Sequence, residues 1–221
     1  MDANQIRFAI FLAIFLLMLG LESVIQRHPT VDVKTRRLKI NLALTGIDIL
    51  VVRLFFGAAA VGAAQFAGER GWGLFNYLEW PEGLETFFCV IILDLMIYIQ
   101  HVVLHMIPFF WRFHIVHHSD LDLDVSSGLR FHPIEILGSM LYKIGLVFAL
   151  GPSTTTVLIF EAILNGMAQF SHSNITLPES LDRLLRYIIV TPDMHRIHHS
   201  VEKEETNSNF GFNLSVWDRI L

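Results

Sequence analysis

The sequence of 221 residues has few cysteines, few charges and no excess of basic residues. Its one cysteine, Cys89, excludes a framework of disulfide bonds and any zinc site built on several cysteines. The formal net charge of -5 argues against a nucleic-acid partner, because such proteins need a basic face. Charged residues make up 17% of the chain and hydrophobic residues 53%, whereas soluble domains are about 25% charged. The composition therefore disfavours both a soluble domain and a disordered chain.

Long apolar runs are abundant instead. A membrane-spanning helix needs about 20 mostly apolar residues, and three runs reach that length, at residues 6–25, 38–66 and 84–107. Two shorter runs, 134–150 and 153–170, flank Gly151-Pro152, a pair typical of turns, and so predict a helical hairpin. No strand pattern is present. The sequence predicts an all-α integral membrane protein with about four to five transmembrane helices, rather than a soluble helical protein.

Basic residues in the loops predict the orientation in the membrane, because lysine and arginine favour the cytoplasmic side. Residues 26–39 contain five of them, whereas residues 67–83 contain only Arg70 beside three glutamates. This predicts a cytoplasmic first loop and an outside N-terminus. The histidine-rich stretches 111–124 and 171–221 then form a helical cap on the cytoplasmic side. Asp120, Asp122 and Asp124 lack the glycine and glutamate of a calcium-binding loop, so we expect a solvated loop there.

Histidine is the second excess, since ten of the 11 histidines lie between residues 101 and 199. One pair is four residues apart, and two H-x-x-H-H motifs begin at residues 114 and 195. Residues three and four apart share a helix face, so each motif presents three imidazoles in one direction. The pair and motifs supply eight imidazoles, and His172 would make nine. A structural zinc ion takes about four ligands, so nine predict two metal ions. The eight are His101, His105, His114, His117, His118, His195, His198 and His199.

The isolated histidines are less informative. His132 is followed by Pro133 and Glu135, and either a ligand role or a supporting role in the loop fits it. His172 is favoured as a ligand, whereas His28 is expected to be an ordinary polar residue.

Polar residues on the same helix faces are candidates to support the ligands. Asp94 and Tyr98 share a stripe with His101, and Asn165 shares one with His172. A polar group there could hydrogen-bond a ligand imidazole and fix its tautomer. The alternative is an ordinary polar seam between helices.

Imidazole ligands alone do not choose among zinc, copper, iron and nickel. Oxidation of unactivated C–H bonds needs a redox metal, iron or copper, whereas hydrolysis would bring zinc back into contention. Two alternatives to an oxidase are therefore a membrane zinc hydrolase and a metal transporter. The hydrolase lacks its H-E-x-x-H motif. The transporter would distribute polar ligands through several spans rather than at one face.

The motifs resemble those of the membrane fatty acid hydroxylase/sterol desaturase superfamily, in the form of a bacterial-type member of unassigned substrate. The resemblance rests on His101-Val-Val-Leu-His105, on Trp111 to Ser119, on Arg130 to Pro133, on Ser171 to Asn174, on Met194 to Ser200, on Asn209 to Gly211 and on Trp217 to Arg219. It covers residues 84–221 and so predicts an N-terminal part, 1–83, of transmembrane helices and a basic loop before one catalytic unit. Family sequences continue beyond Trp217-Asp218-Arg219, which predicts a C-terminal truncation.

The resemblance implies an oxygen-dependent oxidoreductase with two iron ions that hydroxylates or desaturates a fatty acyl, sterol or related lipid. Its implied ligands and catalytic residues are His101, His105, His114, His117, His118, His172, His195, His198 and His199, with His132 as a weaker ligand candidate. The sequence has no G-x-G-x-x-G, iron–sulfur cysteine set or haem domain, so a separate donor is implied, either ferredoxin with its reductase or cytochrome b5. The implied location is a bacterial inner membrane, or the endoplasmic reticulum of a eukaryote.

Overall fold

A computed structural model describes residues 3–57 and 59–221, and these residues form helices and no strand ladder. The helices are α1 (Ala3–Val24), α2 (Lys34–Phe56), α3 (Ala59–Arg70), α4 (Leu74–Leu78), α5 (Glu82–Met106), α6 (Pro108–His118), α7 (Pro133–Leu150), α8 (Thr154–His172), α9 (Glu179–Leu185), α10 (Pro192–His198), α11 (Lys203–Thr206) and α12 (Trp217–Ile220). The predicted all-α class is confirmed.

Four stretches of the described chain are long and apolar enough to cross a membrane. They are Gln5–Val24, Lys34–Leu78, Glu82–Met106 and Pro133–Leu150. Large apolar side chains on their outer faces are exposed, such as Leu54 (72%) and Phe55 (69%), where lipid chains rather than water would cover them. The chain is therefore an integral membrane protein. The run 153–170 forms α8, which completes the predicted hairpin with α7 around Gly151.

The run 38–66 is divided in the structure, although its length predicted one span. Helix α2 ends at Phe56, Gly57 adopts φ 56°, and α3 begins at Ala59. Small residues line one face of α3 and let it lie close to Val147 of α7 and Val157 of α8. They are Ala60, Ala63, Ala64 and Ala67.

One end of the bundle is closed by a contact between two glycines. A Cβ on Gly73 would lie 2.2 Å from the backbone nitrogen of Gly151, and both residues have positive φ. Only glycine fits this approach of the segment before α4 to the α7–α8 turn.

The opposite end of the bundle gathers the basic loop and both histidine-rich stretches; we call it the histidine end. The Glu22 carboxylate, at the end of α1, accepts backbone hydrogen bonds from Val125 (2.6 Å) and Asn174 (2.9 Å). Arg27 forms an ion pair with Asp193 at 3.2 Å. The first loop and the histidines therefore lie at the same end, as the predicted topology requires.

The aspartates of the 120–124 loop are buried, which corrects the expectation of a solvated loop. Arg37 is 4% exposed, and its guanidinium lies 2.7 Å from an Asp120 carboxylate oxygen and 2.8 Å from one of Asp124. Burial alone would raise the pKa of Asp120, but hydrogen bonds and charge from Arg37 hold it below its usual value. Asp122 accepts the backbone N–H groups of Val31 and Asp32. The aspartate side chains of the loop therefore form a buried clamp between α2 and the histidine end.

Candidate metal centre

Nine histidines converge at the histidine end in two adjoining groups. In each group, one nitrogen per residue lies within 4.8 Å of the corresponding nitrogens of the others. The five-histidine group consists of His101, His105, His114, His118 and His198. The four-histidine group consists of His117, His172, His195 and His199. The rings of His118 and His199, one from each group, stack with their centroids 4.2 Å apart.

The two H-x-x-H-H motifs interleave between the groups. In the first motif the outer histidines, His114 and His118, join the five-histidine group and His117 joins the other. The second motif is divided in the opposite sense, since its middle histidine, His198, joins the five-histidine group. On the shared face, residues i+3 and i+4 flank residue i on opposite sides and lie about 100° apart around the helix axis. One helical turn can therefore supply ligands to two neighbouring centres.

The spacing of the ring nitrogens suits a shared metal ion. In the four-histidine group, the Nε2 atom of His172 lies 3.0 Å from Nε2 of both His117 and His195. In the five-histidine group, the Nε2 atoms of His101 and His198 are 3.1 Å apart. Two nitrogens at about 2.0–2.1 Å from one metal are separated by about 2.9 Å at a right angle and about 3.4 Å at a tetrahedral angle. The observed distances fall within this interval.

Backbone carbonyls orient several of the rings. The Nδ1 atoms of His101, His198 and His172 lie 2.8, 2.8 and 2.7 Å from the carbonyl oxygens of Phe210, Ser208 and Ala168. The Nδ1 atom of His117 lies 3.1 Å from the carbonyl oxygen of Arg130. A carbonyl can only accept, so each Nδ1 carries the proton and donates it, and each Nε2 is left with a free lone pair. This is the usual support of a metal-bound histidine.

Several ring nitrogens are buried without any partner. In His105 and His118 neither nitrogen has one, and in His114 the Nε2 atom has none. A buried polar atom without a partner costs about 1–3 kcal/mol. Bound metal ions would use these lone pairs, so the donor set fits two metal centres.

Burial keeps the six histidines of the two H-x-x-H-H motifs neutral. Loss of hydration, followed by repulsion from neighbouring imidazoles, lowers their pKa below the usual value. This holds for His114, His117, His118, His195, His198 and His199. Only neutral imidazole binds a metal, so these rings are ready for metal at neutral pH.

Glu135 is a functional candidate that the sequence analysis missed. Its Oε1 atom lies 2.7 Å from Nδ1 of His114, and its side chain is buried, with only 3% of its surface exposed. The carboxylate accepts the Nδ1 proton and so directs the His114 Nε2 lone pair into the five-histidine group. The available signal was an acid in the first turn of an otherwise apolar run.

His132 and Asn165 lie apart from the two groups. The Nδ1 atom of His132 accepts the backbone N–H of Ile134 at 3.1 Å, which caps α7. The exposed Asn165 amide donates to the Glu161 carbonyl, one turn earlier in α8. We therefore correct the predicted contact of Asn165 with a ligand imidazole, because this side chain is bound to its own helix.

Asp94 and Tyr98 act at one remove from the histidines, which also corrects the predicted direct contact. The Asp94 carboxylate accepts the indole N–H of Trp217 at 2.8 Å and the backbone N–H of Leu214 at 3.2 Å. The Tyr98 ring meets the edge of Phe210, whose carbonyl binds His101. Both residues hold the C-terminal segment that packs over the five-histidine group.

A polar cavity of about 760 Å³ opens beside His199. Its walls include Arg27, Asp122 and Arg196 from the loops at the histidine end. This opening connects the four-histidine group to the polar side of the molecule.

Fold and site together define an all-helical membrane protein with two histidine groups that could hold metal ions. The family model described as fatty acid hydroxylase matches residues 86–221. The match covers more than half of the chain, which therefore belongs to the fatty acid hydroxylase family. The predicted superfamily is confirmed.

Curated relatives carry names that describe lipid hydroxylation. An ornithine lipid hydroxylase of Rhizobium tropici is 32% identical over 147 residues, 65% of this chain and 42% of the relative. An alkylglycerol monooxygenase of Caenorhabditis elegans is 26% identical over 189 residues, 83% of this chain and 36% of the relative. A cholesterol 25-hydroxylase of Rattus norvegicus is 26% identical over 135 residues, 60% of this chain and 44% of the relative. The chain thus spans about two fifths of the length of these relatives, and no solved structure matches it.

Proposed function

We propose that this chain is an oxygen-dependent lipid hydroxylase whose two histidine groups each bind one iron ion. The observation that carries the proposal is the convergence of nine neutral imidazoles into two adjoining groups on a membrane helix bundle. The family match and the names of the relatives support lipid hydroxylation over hydrolysis or metal transport. Residues 84–221 would form the catalytic unit, and residues 1–83 would supply membrane helices and the Arg37 clamp.

Iron fits the site better than structural zinc does. A structural zinc ion takes about four ligands, whereas five imidazoles converge in the larger group. Iron would supply the oxygen activation and one-electron chemistry that oxidation of an unactivated C–H bond needs. Zinc has no redox chemistry.

The proposed reaction balances with an external reductant. One atom of molecular oxygen enters a C–H bond and gives an alcohol, and the other atom leaves as water. The reaction consumes two electrons and two protons. A ferredoxin with its reductase, or a cytochrome b5 system, would supply the electrons.

The chain's own residues would hold the site rather than react. Backbone carbonyls of residues such as Phe210 and Arg130 fix ring tautomers, and Glu135 does the same for His114. The Phe210 ring packs on His105 and His198 and covers the five-histidine group with apolar surface. Excluding bulk water in this way strengthens electrostatic interactions and limits side reactions.

We place the histidine end on the cytoplasmic side. The five basic residues between residues 26 and 39 lie at that end, and such loops favour the cytoplasm. The polar cavity beside His199 opens there and would face a soluble electron donor.

Isotope incorporation by purified protein tests the proposed activity. The protein is loaded with iron under anaerobic conditions in lipid nanodiscs, supplied with a donor system and a total lipid extract, and exposed to labelled oxygen gas. We expect a lipid alcohol that carries one labelled atom, and no product from His198→Ala. His132→Ala is the matched control and should keep activity, because His132 caps α7 and lies outside both groups. A product whose new oxygen comes from water would support hydrolysis and contradict the proposal.

A further inference from the structure

We infer that an apolar groove among α5, α6 and α7 binds the hydrocarbon chain of the lipid substrate. This inference rests on the proposed function and adds a location for the substrate. The groove is a cavity of about 310 Å³, a volume at the lower end of the usual range for small-molecule sites. It is separate from the polar cavity beside His199.

The walls of the groove are almost wholly apolar. Val103 and Leu104 of α5 face Phe110 and Phe113 of α6, and Gly138 of α7 leaves open space between them. Three of the four polar side chains in the walls bind one another or the backbone, and the fourth, Glu135, binds His114. The Gln100 amide donates to the Ser139 hydroxyl at 2.6 Å, and the Tyr142 hydroxyl donates to the Met96 carbonyl at 3.2 Å. Such a surface suits a hydrocarbon and offers little to a polar headgroup.

The position of the groove selects a lipid chain as its occupant. Two of its walls, α5 and α7, are candidate membrane-spanning helices, and the groove lies where α5 ends and α7 begins. Apolar side chains at its edge are exposed, including Phe109 (60%) and Ile134 (52%). Within a bilayer this opening meets lipid tails rather than water. A chain could therefore enter sideways from the membrane.

The inner end of the groove reaches Glu135, the residue that orients His114. Glu135 lines the groove, and its Oε1 atom lies 2.7 Å from Nδ1 of His114. The Glu135 carboxylate thus separates the groove from His114, a member of the five-histidine group. The polar cavity beside His199 also reaches a histidine, but its walls carry Arg27, Asp122 and Arg196, which disfavour hydrocarbon.

A glycine pair on α7 provides a matched test. A Cβ added to Gly138 would meet no atom within 4 Å, so Gly138→Leu fills the groove without a backbone clash. A Cβ at Gly145, two turns further along the same helix, also meets none, and Gly145 does not line the groove. Gly145→Leu is therefore the control for a leucine on α7.

Photolabelling with a lipid that carries a diazirine at the end of its acyl chain measures where the chain binds and does not require catalytic turnover. We expect labelled peptides from residues 99–113. The leucine side chain at position 138 adds four carbon atoms and displaces at least about two methylenes of the bound chain, so we expect labelling in Gly138→Leu to fall about tenfold or more. Gly145→Leu should label as the wild type does, and both variants should keep the wild-type iron content.

The same variants separate this inference from the proposed function. During turnover, Gly138→Leu should raise the KM of long-chain lipids more than that of short-chain ones. Unchanged labelling and unchanged chain-length preference in an active Gly138→Leu protein would show that the groove does not bind the lipid chain. Labelling centred on residues 197–201 of the polar cavity would show the same. An inactive wild type with intact groove labelling would instead overturn the proposed function and support chain binding.

Discussion

At the scale of single residues, the hydrogen bond made by Nδ1 of each imidazole decides whether its Nε2 atom is free to bind a metal. His101, His117 and His198 donate Nδ1–H to backbone carbonyls, whereas His114 donates to a carboxylate. A carboxylate partner makes the imidazole a stronger base than a carbonyl partner does. His114 is therefore the ring whose metal affinity depends most on one side chain.

Substitution of Glu135 should weaken metal binding at the five-histidine group. Glu135→Ala removes the acceptor of the His114 Nδ1 proton, and loss of such a partner lowers metal affinity about 10–100-fold. Glu135→Gln keeps an oxygen acceptor and should lose less. Titration of iron against a competing chelator measures the affinity of each variant. Equal affinities in wild type and Glu135→Ala would show that the carboxylate does not support a ligand.

Spacing predicted every histidine of the two groups except the isolated His172, but not their supporting contacts. Intervals of three and four residues place His114, His117 and His118 near one another whatever the rest of the fold does. The partners of Asp94 and Asn165 depend on which segments pack against α5 and α8. Asp94 binds Trp217, which is 123 residues away along the chain, and no local pattern encodes such a contact.

At the scale of structural elements, the loop 119–132 depends on α2. Arg37 lies between Asp120 and Asp124, and Arg130 donates to the Asn41 side chain on the same helix. The Arg130 carbonyl then accepts from His117. A chain of contacts therefore runs from the basic N-terminal segment to the four-histidine group.

Loss of Arg37 should destabilise this end of the molecule. Arg37→Met leaves two buried aspartates without their cation, and breaking a buried ion pair costs about 3–5 kcal/mol. Arg36→Met is the matched control, because the Arg36 side chain is 72% exposed and its ion pair with Asp32 spans 4.0 Å. An exposed pair contributes about 0–1 kcal/mol. Thermal unfolding in detergent compares the two variants, and similar losses of stability would contradict a buried clamp.

Apolar runs and turn residues predicted most helices, but one long run was misread. Residues 38–66 have the hydropathy of a single span, yet the helix breaks at Gly57 and α3 packs its alanines against α7 and α8. Hydropathy reports burial from water and does not distinguish lipid from a neighbouring helix. The buried clamp at Asp120 and Asp124 escaped prediction for a related reason, since its cation lies more than 80 residues earlier.

At the scale of the whole molecule, the buried histidines couple folding to pH. In the metal-free protein, burial holds the folded-state pKa of His117, His195 and the other histidines of α6 and of the second H-x-x-H-H motif below the usual value, whereas unfolded histidine titrates at about 6.5. Below that pH the unfolded chain binds more protons than the folded one. The free energy of unfolding should therefore fall as the pH is lowered from about 7 to 5, by at most about 1.4 kcal/mol per pH unit for each histidine.

Thermal unfolding of chelator-treated protein across this pH range measures the effect. Bound iron should be released in the same direction, because protons compete with metal for the imidazoles. A melting temperature that stays constant or rises on acidification would show that the histidines are not buried in neutral form.

Metal content tests most directly whether two metal ions bind side by side in one chain. The protein is loaded with ferrous iron under anaerobic conditions and freed of excess metal. It should then contain about two iron atoms per chain, because one ion takes about four ligands and each histidine group offers that many or more. His195→Ala, which leaves only three imidazoles in the four-histidine group, should lower that ratio toward one. A single tightly bound zinc ion in the wild type, with no uptake of iron, would contradict the account.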